Sequence, residues 1–491
     1  MSTPDFSKIQ KLVLKGCNAD YSYFMVLTIE NASLARTFLR KLGSEGWIPN
    51  AKKSEGENQT QPNKNRCPIS VGLTYQGLLK LSLKPRYQEI FKNKARAFSE
   101  GAYFRASTHL SDTENNAPRF WSHKFRKEVA HVFLTLHGDD KAALENRVAE
   151  LQTFEKTLSH EQNTENNCRA FTQESWSNNF NGAHLDHENE NGNDKAEGKF
   201  RRVHFGMLDG ISQPCIEAYS GRRNEENHKI GEFILGYDND SGYNSWRLSN
   251  VRPDLKDTSG AKQSEKIASF FKNASFGIFR PMAQDEDAFK AFVEKNAGKL
   301  SVSEEFVRAK LIGRWDNGHV VKPEHKESPK TDSSALNQFD FLDDPDGKGC
   351  PFGSHIRRMN PRSDPVVPFR KRPLMRRGIP YGPKFNGTNG AVERGLLGLF
   401  FCASIEDQFE HLLREWANDN PMGVPNQGDA KDPLIGNHAQ TGTRFDVPMR
   451  DGSHETLEGF APFIQTKGTL YAFFPGLNGL DQLEDEEVFE I

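Results

Sequence analysis

The 491-residue chain has no long apolar run and no leader-like start. Its longest strongly apolar run, GLLGLFFCA from Gly395, is about half as long as a membrane-spanning helix requires. The first residues, MSTPDFSKIQKLVLKGC, contain no charged start followed by an apolar core of signal-peptide length. We therefore expect a protein without a membrane segment, located in the cytoplasm.

Cysteine is scarce and scattered, and none of the six cysteines belongs to a CxxC pair. This spacing suggests neither a zinc module nor a disulfide framework. The motif CxxCH is absent as well, which argues against covalently attached c-type haem. The cysteines are Cys17, Cys67, Cys168, Cys215, Cys350 and Cys402.

The chain also lacks an excess of charge of either sign, since its formal net charge is -3 and its pI is about 6.6. Such a balance gives no electrostatic reason to expect a nucleic acid or a membrane surface as partner. No phosphate-binding glycine loop and no familiar hydrolase nucleophile motif occurs. A small molecule is the favoured partner.

A repeated pattern of apolar runs followed by amphipathic helical segments is present in both halves. The runs YFMVLTI from Tyr23 and VAHVFLTLH from Val129 form one pair, and SFGIFRP from Ser275 and LLGLFFCAS from Leu396 form the other. Each run with its helix is one strand-helix unit, and ISVGLTY from Ile69 is a further strand. The pattern predicts an α+β fold with two ferredoxin-like domains, each an antiparallel sheet with helices packed on it.

We place the domain boundary in the polar segment before Ala274, which gives an N-terminal domain over 1–270 and a C-terminal domain over 271–491. Four long polar stretches interrupt the repeat, at 50–66, 159–198, 220–266 and 418–455. They are too poor in apolar residues to bury a core of their own, so we expect surface insertions that carry no obvious chemistry.

His355 stands out among fifteen histidines because of its neighbours in CPFGSHIRRMNPR. The Gly353-Ser354 step suits a tight turn, and Arg357, Arg358 and Arg362 place guanidinium groups near the imidazole. Such a histidine can take an axial position on haem iron while the arginines pair with the propionates. The alternative interpretation is an exposed basic loop.

Asp209 lies between two glycines in HFGMLDGISQP. Glycines on both sides allow the backbone to approach a ligand, and the carboxylate can then move a proton between the two oxygens of a peroxide. The alternative is a turn aspartate that bonds to its own backbone.

A third stretch, RRGIPYG from Arg376, offers a fixed guanidinium that can stabilise negative charge on a departing oxygen. From the residues alone, either Arg376 or Arg377 fits this role. The adjacent FRKRP favours the alternative of a solvated basic surface.

The three motifs, in this order, resemble those of the dye-decolourising peroxidase family. Its distal signature GxxDG is present as GMLDG, its proximal histidine motif as HIRRMNPR and its distal arginine motif as RRGIPYG. Further blocks in both halves are similar, among them VGLTYQGLLKL, FLDDPDGKGCPFG and RGLLGLFFCASIEDQFE, and the longer insertion-bearing members match best. The resemblance implies a pair of ferredoxin-like domains with haem at their junction.

By position, the resemblance makes His355 the axial ligand of the haem iron, Asp209 the distal acid/base and Arg376 the distal cation. It also points to a carboxylate that accepts the other ring N–H of His355, for which Glu406 is the first choice and Glu410 the second. A local alternative for Glu406 is a capping box over Ser404 to Asp407. For the haem propionates, Arg357 and Arg362 are the favoured partners.

The sequence therefore predicts a haem b peroxidase with one non-covalent haem per chain. Hydrogen peroxide would be reduced, and bulky aromatic donors such as dyes and phenols would be oxidised by one-electron steps. The alternative function is haem carriage or iron release without significant peroxidase turnover. Neither nucleic acid nor membrane is an expected partner, and the prediction allows for a homo-oligomer.

Overall fold

The computed structural model describes most of the chain. The described residues are 3–17, 19–53, 68–161, 168–177, 179–185, 201–220, 227–247, 261–329, 336–364, 371–384, 392–419, 431–438, 443–449 and 451–490. Large parts of the four polar stretches lie outside them.

The strands, numbered in chain order, are β1 Tyr21–Leu27, β2 Ile69–Leu73, β3 Val132–Gly138, β4 Asn179–Ala183, β5 Arg201–Arg202, β6 Leu208–Asp209, β7 Cys215–Ile216, β8 Asn227–His228, β9 Ser275–Gln284, β10 Met375–Arg376, β11 Ile379–Tyr381, β12 Gly395–Cys402, β13 Phe445–Pro448, β14 His454–Leu457, β15 Ile464–Thr466 and β16 Leu470–Phe474.

The α-helices are α1 Lys11–Leu14, α2 Ala32–Ser44, α3 Tyr75–Lys80, α4 Pro85–Lys94, α5 Arg96–Glu100, α6 Ala102–His109, α7 Lys141–Glu161, α8 Gln173–Ser177, α9 Glu217–Ser220, α10 Ala261–Phe271, α11 Glu286–Leu300, α12 Glu304–Ile312, α13 His355–Met359 and α14 Leu477–Asp481. Two consecutive π-helical segments cover Ile405–Glu410 and Leu412–Ala417. Short 3-10 turns cover Phe6–Lys8, Glu114–Asn116, Pro118–Phe120, His123–Phe125, Ile230–Glu232 and Gln482–Glu484.

Ten strands form one sheet that contains both predicted units. Its first half has the order β4-β1-β3-β2, and its second half has the order β16-β9-β12-β10, with β11 paired to β12 and β15 to β9. Numbered within each unit, both orders read 4-1-3-2, which is the antiparallel arrangement of a ferredoxin-like βαββαβ unit. The predicted α+β fold of two ferredoxin-like units is confirmed.

The two units share one hydrogen-bonded sheet because β16 pairs with β2, with Phe473 opposite Leu73. The opposite edges also approach each other, since a Cβ built on Gly182 of β4 would lie 2.3 Å from Ile379 Cγ2 of β11. The boundary before residue 271 stays a prediction.

Aromatic side chains fill the space that this curled sheet encloses. The ring of Phe279 from the second unit lies 5.1 Å from that of Phe24 and 4.8 Å from that of Phe133, both from the first unit. Strand β3 is buried along its whole length, because this core covers one face and helices such as α7 cover the other. The apolar runs read in the sequence are therefore central strands.

A second apolar core forms around α11 and α12, outside the sheet. The side chains of Asp285 and Ser303 cap these helices by accepting the backbone N–H groups of Ala288 and Phe306. This core includes Phe205 and Met207, which precede Asp209 in the chain. It therefore anchors the segment that holds the isolated carboxylate.

Within the described parts of the chain, no helix is both long enough and apolar enough to cross a membrane. The same residues contain no cluster of three or more His, Cys, Asp or Glu side chains suited to a metal ion.

Candidate active site

A largely apolar cavity lies between the second unit's sheet and the helices and loops outside it. The volume of the cavity is about 360 Å³. Residues of both units line it, including Asn116 and the segment around Asp209 from the first unit and His355 from the second. Six cations also line it, namely Arg280, Arg314, Arg362, Lys371, Arg372 and Arg376.

Strand β12 explains how one strand serves both the core and the cavity. Its alternating side chains Leu397, Leu399 and Phe401 are buried in the core. Those of Leu396 and Phe400, together with Gly398, face the cavity. The two-residue period of a strand therefore assigns each face to one environment.

His355 is the first residue of α13 and lines the cavity. Its Nδ1 lies 2.9 Å from Oδ2 of Asp432, whose side chain is fully buried. A carboxylate can only accept here, so Nδ1 carries a hydrogen, and in the neutral ring the lone pair is on Nε2. This is the tautomer that a metal-binding histidine requires.

In the His355–Asp432 pair, mutual attraction of the charges affects both pKa values more than burial does. Burial disfavours the imidazolium, but the charge and hydrogen bond of Asp432 raise the pKa of His355 above its ordinary value. Burial likewise opposes the carboxylate, yet His355 and the backbone N–H of Ile435 keep the pKa of Asp432 below its usual range. Asp432 also accepts the N–H groups of Leu434 and Ile435, each at 2.9 Å. The carboxylate is thus fixed in one orientation.

The prediction that Glu406 is the partner of His355 is wrong. Glu406 accepts the backbone N–H of Ala97 at 2.5 Å, and burial raises the pKa of Glu406. The second choice, Glu410, pairs instead with Arg105 at 2.6 Å. Ser404 does cap this segment by accepting the N–H of Asp407, but its own N–H donates to Gln408 Oε1, so the reciprocal bond of the predicted capping box is not made by Asp407.

Asp432 was missed because it lies in the polar stretch 418–455, which we expected to carry no chemistry. Polar composition predicts a surface location for a segment as a whole, but a single carboxylate can still be drawn inside by a tertiary partner. The only local signal was the order Asp-Pro-Leu-Ile, in which an aspartate shortly precedes two apolar residues. That signal is common in turns and names no partner.

Asp209 lies at the end of β6, and its exposed side chain lines the same cavity as His355. Gly206 and Gly210 have positive φ angles of 86° and 79°, which explains why glycines flank it. Asp209 Oδ1 accepts the N–H of Gly210 at 2.7 Å. Asp209 therefore both bonds to its own local backbone, as a turn aspartate does, and faces the cavity.

The two arginines that the sequence left as alternatives have different surroundings. Arg376 lines the cavity, and its guanidinium forms no hydrogen bond or ion pair with the described residues. Arg377 is buried away from it, donating to the carbonyls of Leu12 and Val13. Burial lowers the pKa of Arg377 to about 10. Arg376 is the arginine that can act in the cavity.

The expectation that Arg357 pairs with a propionate is wrong. Its guanidinium is fully buried, donates to Asp364 at 2.6 Å and lies over the ring of Phe352 at 4.2 Å. It contacts Asp344 as well and does not line the cavity. Two carboxylates already neutralise it.

Arg362 does line the cavity, although protein groups also bind it. It donates to Asn337 Oδ1 at 2.5 Å and to the Phe339 carbonyl at 2.6 Å, and it approaches Ser212 Oγ at 3.3 Å. The last contact ties it to the segment that follows Asp209.

Fold and site together define a class of protein: a two-unit α+β sheet whose outer cavity is lined by the carboxylate-bound histidine His355, by Asp209 and by apolar and cationic side chains. Residues 8–170 match the family described as the DyP dimeric alpha+beta barrel domain.

Curated relatives are fungal and bacterial. The chain is 28% identical over 312 residues to dye-decolorizing peroxidase msp1 of Mycetinis scorodonius, a match that covers 56% of each protein. It is 24% identical over 509 residues to the dye-decolorizing peroxidase of Exidia glandulosa, covering 98% of this chain and 87% of that protein. In the first listed matches the chain thus spans little more than half of the relative's length.

Among solved structures, a variant of the dye-decolorizing peroxidase from Pleurotus ostreatus matches with a TM-score of 0.75 and 21% identity, covering 100% of both chains. At this identity the likeness shows a shared fold. The family match over residues 8–170, the relatives and the shared fold all point to the same likeness, and the chain is similar to dye-decolourising peroxidases in sequence and in fold.

Proposed function

We propose that this protein is a haem b peroxidase that reduces hydrogen peroxide and oxidises bulky aromatic donors, such as dyes and phenols, by one-electron steps. One observation supports this most strongly: His355, held by buried Asp432, opens into the same apolar cavity as Asp209 and Arg376. A structurally similar dye-decolorizing peroxidase has been solved as a complex with 2,6-dimethoxyphenol, which favours phenols as donors.

The residues present fit one non-covalent haem. The apolar walls suit a porphyrin, and His355 would hold the haem iron through Nε2. Cations for the two propionates would come from Arg362, which the sequence already indicated, and from Lys371 and Arg372. When bound, haem supplies an iron centre that accepts oxidising equivalents from peroxide and passes them to a donor one at a time.

Asp209 takes the proton from one peroxide oxygen and returns it to the other. Its exposed, cavity-facing carboxylate is suited to this exchange, because only the N–H of Gly210 is bonded to it among the described residues. Arg376 stabilises the negative charge that builds on the departing oxygen, and no carboxylate among the described residues pairs with its guanidinium. Asp432 keeps the hydrogen of His355 on Nδ1.

The test combines binding and turnover in the haem-loaded protein. We expect a Soret band that is lost in His355→Ala. We also expect Asp209→Asn to keep the band but to react with peroxide about a hundredfold more slowly in rapid mixing. Undiminished peroxide reaction in Asp209→Asn would remove Asp209 from the chemistry.

Haem carriage or iron release is the competing outcome of the same experiment. A carrier needs His355 but has no use for Asp209 and Arg376 in one cavity. Iron release with intact porphyrin, together with negligible turnover of peroxide and dye, would establish the carrier function instead. The cytoplasmic location and the oligomeric state stay predictions.

A further inference from the structure

A second histidine–carboxylate pair faces the same cavity. His228 lies on the short strand β8, beside Ile216 of the segment that follows Asp209. The cavity lining includes His228, and its Nδ1 lies 2.6 Å from Asp240 Oδ2. No described residue hydrogen-bonds to its Nε2. The imidazole therefore has one nitrogen anchored and one available to a ligand.

Hydrogen bonds to neighbouring residues fix the position of Asp240. Its other oxygen accepts the N–H of Lys229 at 2.7 Å, and its own N–H donates to Glu232 Oε1 at 3.1 Å. Burial opposes the carboxylate, but the bonds from His228 and Lys229 lower the pKa of Asp240. Asp240 thus remains an acceptor, so His228 keeps its hydrogen on Nδ1 and a lone pair on Nε2.

The proposed peroxidase function leaves this pair without a task. Asp209 and Arg376 serve the peroxide and His355 serves the iron, whereas His228 lies on a different segment from all three. The segment that contains His228 is held at the cavity wall near Glu232, whose carbonyl accepts from Gln408 Nε2 at 3.0 Å. His228 is therefore a fixed base at the cavity wall.

We propose that His228 accepts the hydroxyl proton of a phenolic donor bound in this cavity, with Asp240 as its positioning residue. The step rests on the proposed function. The phenol O–H bond breaks, the proton goes to Nε2 of His228, and one electron goes to the cofactor that peroxide has oxidised. The product is a neutral phenoxyl radical. Removing the proton at the same site avoids a cationic phenol radical, which a largely apolar cavity disfavours.

The test compares two donors that differ in whether they release a proton. The first is 2,6-dimethoxyphenol, and the second is ferrocyanide, which gives up an electron without any proton. The haem-loaded variants are His228→Gln and Asp240→Asn, and His109→Gln is the matched control, because His109 lies outside the cavity lining. A readout that needs no turnover is the affinity of the resting, peroxide-free protein for the phenol, measured by calorimetry.

We expect His228→Gln to lower kcat/KM for the phenol about a hundredfold and to leave that for ferrocyanide unchanged. Asp240→Asn should follow in the same direction with a smaller loss, and both variants should bind the phenol more weakly. His109→Gln should match the wild type in every measurement.

Equal losses with both donors, accompanied by faster haem transfer to apomyoglobin, would overturn the proposal and make His228 a propionate partner. Unchanged phenol kinetics and binding in His228→Gln would overturn it as well. Failure of the proposed function looks different, because the wild type would then oxidise neither donor with peroxide.

Discussion

Replacing Asp432 with asparagine is the sharpest test of how the site is held. Oδ1 of Asp432 accepts two backbone N–H groups, and Oδ2 accepts His355 Nδ1. In Asp432→Asn the amide oxygen keeps the two backbone bonds, so the NH₂ group takes the position of Oδ2. That NH₂ donates to Nδ1 of His355 and forces the ring hydrogen onto Nε2, the nitrogen that must bind iron.

Two magnitudes follow. The buried site loses a charge that took part in three hydrogen bonds, and each bond weakens by about 1 kcal/mol when its acceptor becomes neutral. The free energy of unfolding should therefore fall by about 3 kcal/mol, in line with the cost of breaking a buried pair. Affinity for haem should fall about 10- to 100-fold, as is typical when the partner of a metal-binding histidine is lost.

The assay measures haem transfer to apomyoglobin and urea unfolding of the same samples. Glu406→Gln is the matched control, because Glu406 is a partly buried carboxylate of the same site region and its acceptor oxygen for Ala97 N–H survives the change. We expect Asp432→Asn to release haem faster and Glu406→Gln to release it at the rate of the wild type.

A reversed ranking would refute the assignment. If Asp432→Asn retained haem like the wild type while Glu406→Gln lost it, the carboxylate that orients His355 would be Glu406. If both variants lost stability but neither changed haem release, the hydrogen bond to His355 would be structural only.

Two further predictions concern residues outside the chemistry. Arg357→Met should lower the free energy of unfolding by about 3 to 5 kcal/mol, because Asp364 and Asp344 are left buried without this cation. The rate of haem release from the folded protein should not change. Faster haem release would make Arg357 a propionate partner after all. Burial lowers the pKa of His137 to about 4, below the value of about 6.5 in the unfolded chain. The neutral, buried His137 therefore contributes its full stabilisation above about pH 6.5, and this contribution is lost as the pH falls towards 4. At about pH 5 the free energy of unfolding should be lower by about 2 kcal/mol. Urea unfolding at about pH 7.5 and about pH 5 should show a pH-dependent loss that is smaller by this amount in His137→Gln, and an identical loss in both proteins would contradict the assignment.

The fold was predictable because its signal is local and repeated. Apolar runs followed by amphipathic helices occur twice in each half, and each became a strand and a helix of a ferredoxin-like unit. The joining of the units into one sheet was not predictable. It depends on a single pairing, Phe473 with Leu73, between strands about four hundred residues apart, and no local pattern reports such a contact.

The site divides in the same way. His355, Asp209 and Arg376 lie in short motifs with distinctive neighbours, and all three line one cavity. Arg357 shares the motif of His355 but turns inward to two carboxylates, which sequence proximity could not reveal. Charge near a histidine in sequence is a weak guide, because side chains of one helical turn point in different directions.

By itself, the sequence determined the strands, the helices that follow them and the three motif residues, because apolar periodicity and glycine-flanked polar groups are properties of neighbouring residues. The tertiary structure alone decided which groups surround them. In the folded chain, Asp432 from a polar stretch accepts a hydrogen bond from His355, and Glu406 accepts the backbone N–H of Ala97. His228, paired with Asp240, lines the same cavity as His355. The physical reason is that a buried charge takes whichever partner the packed chain brings within reach, and that partner can lie anywhere along the sequence.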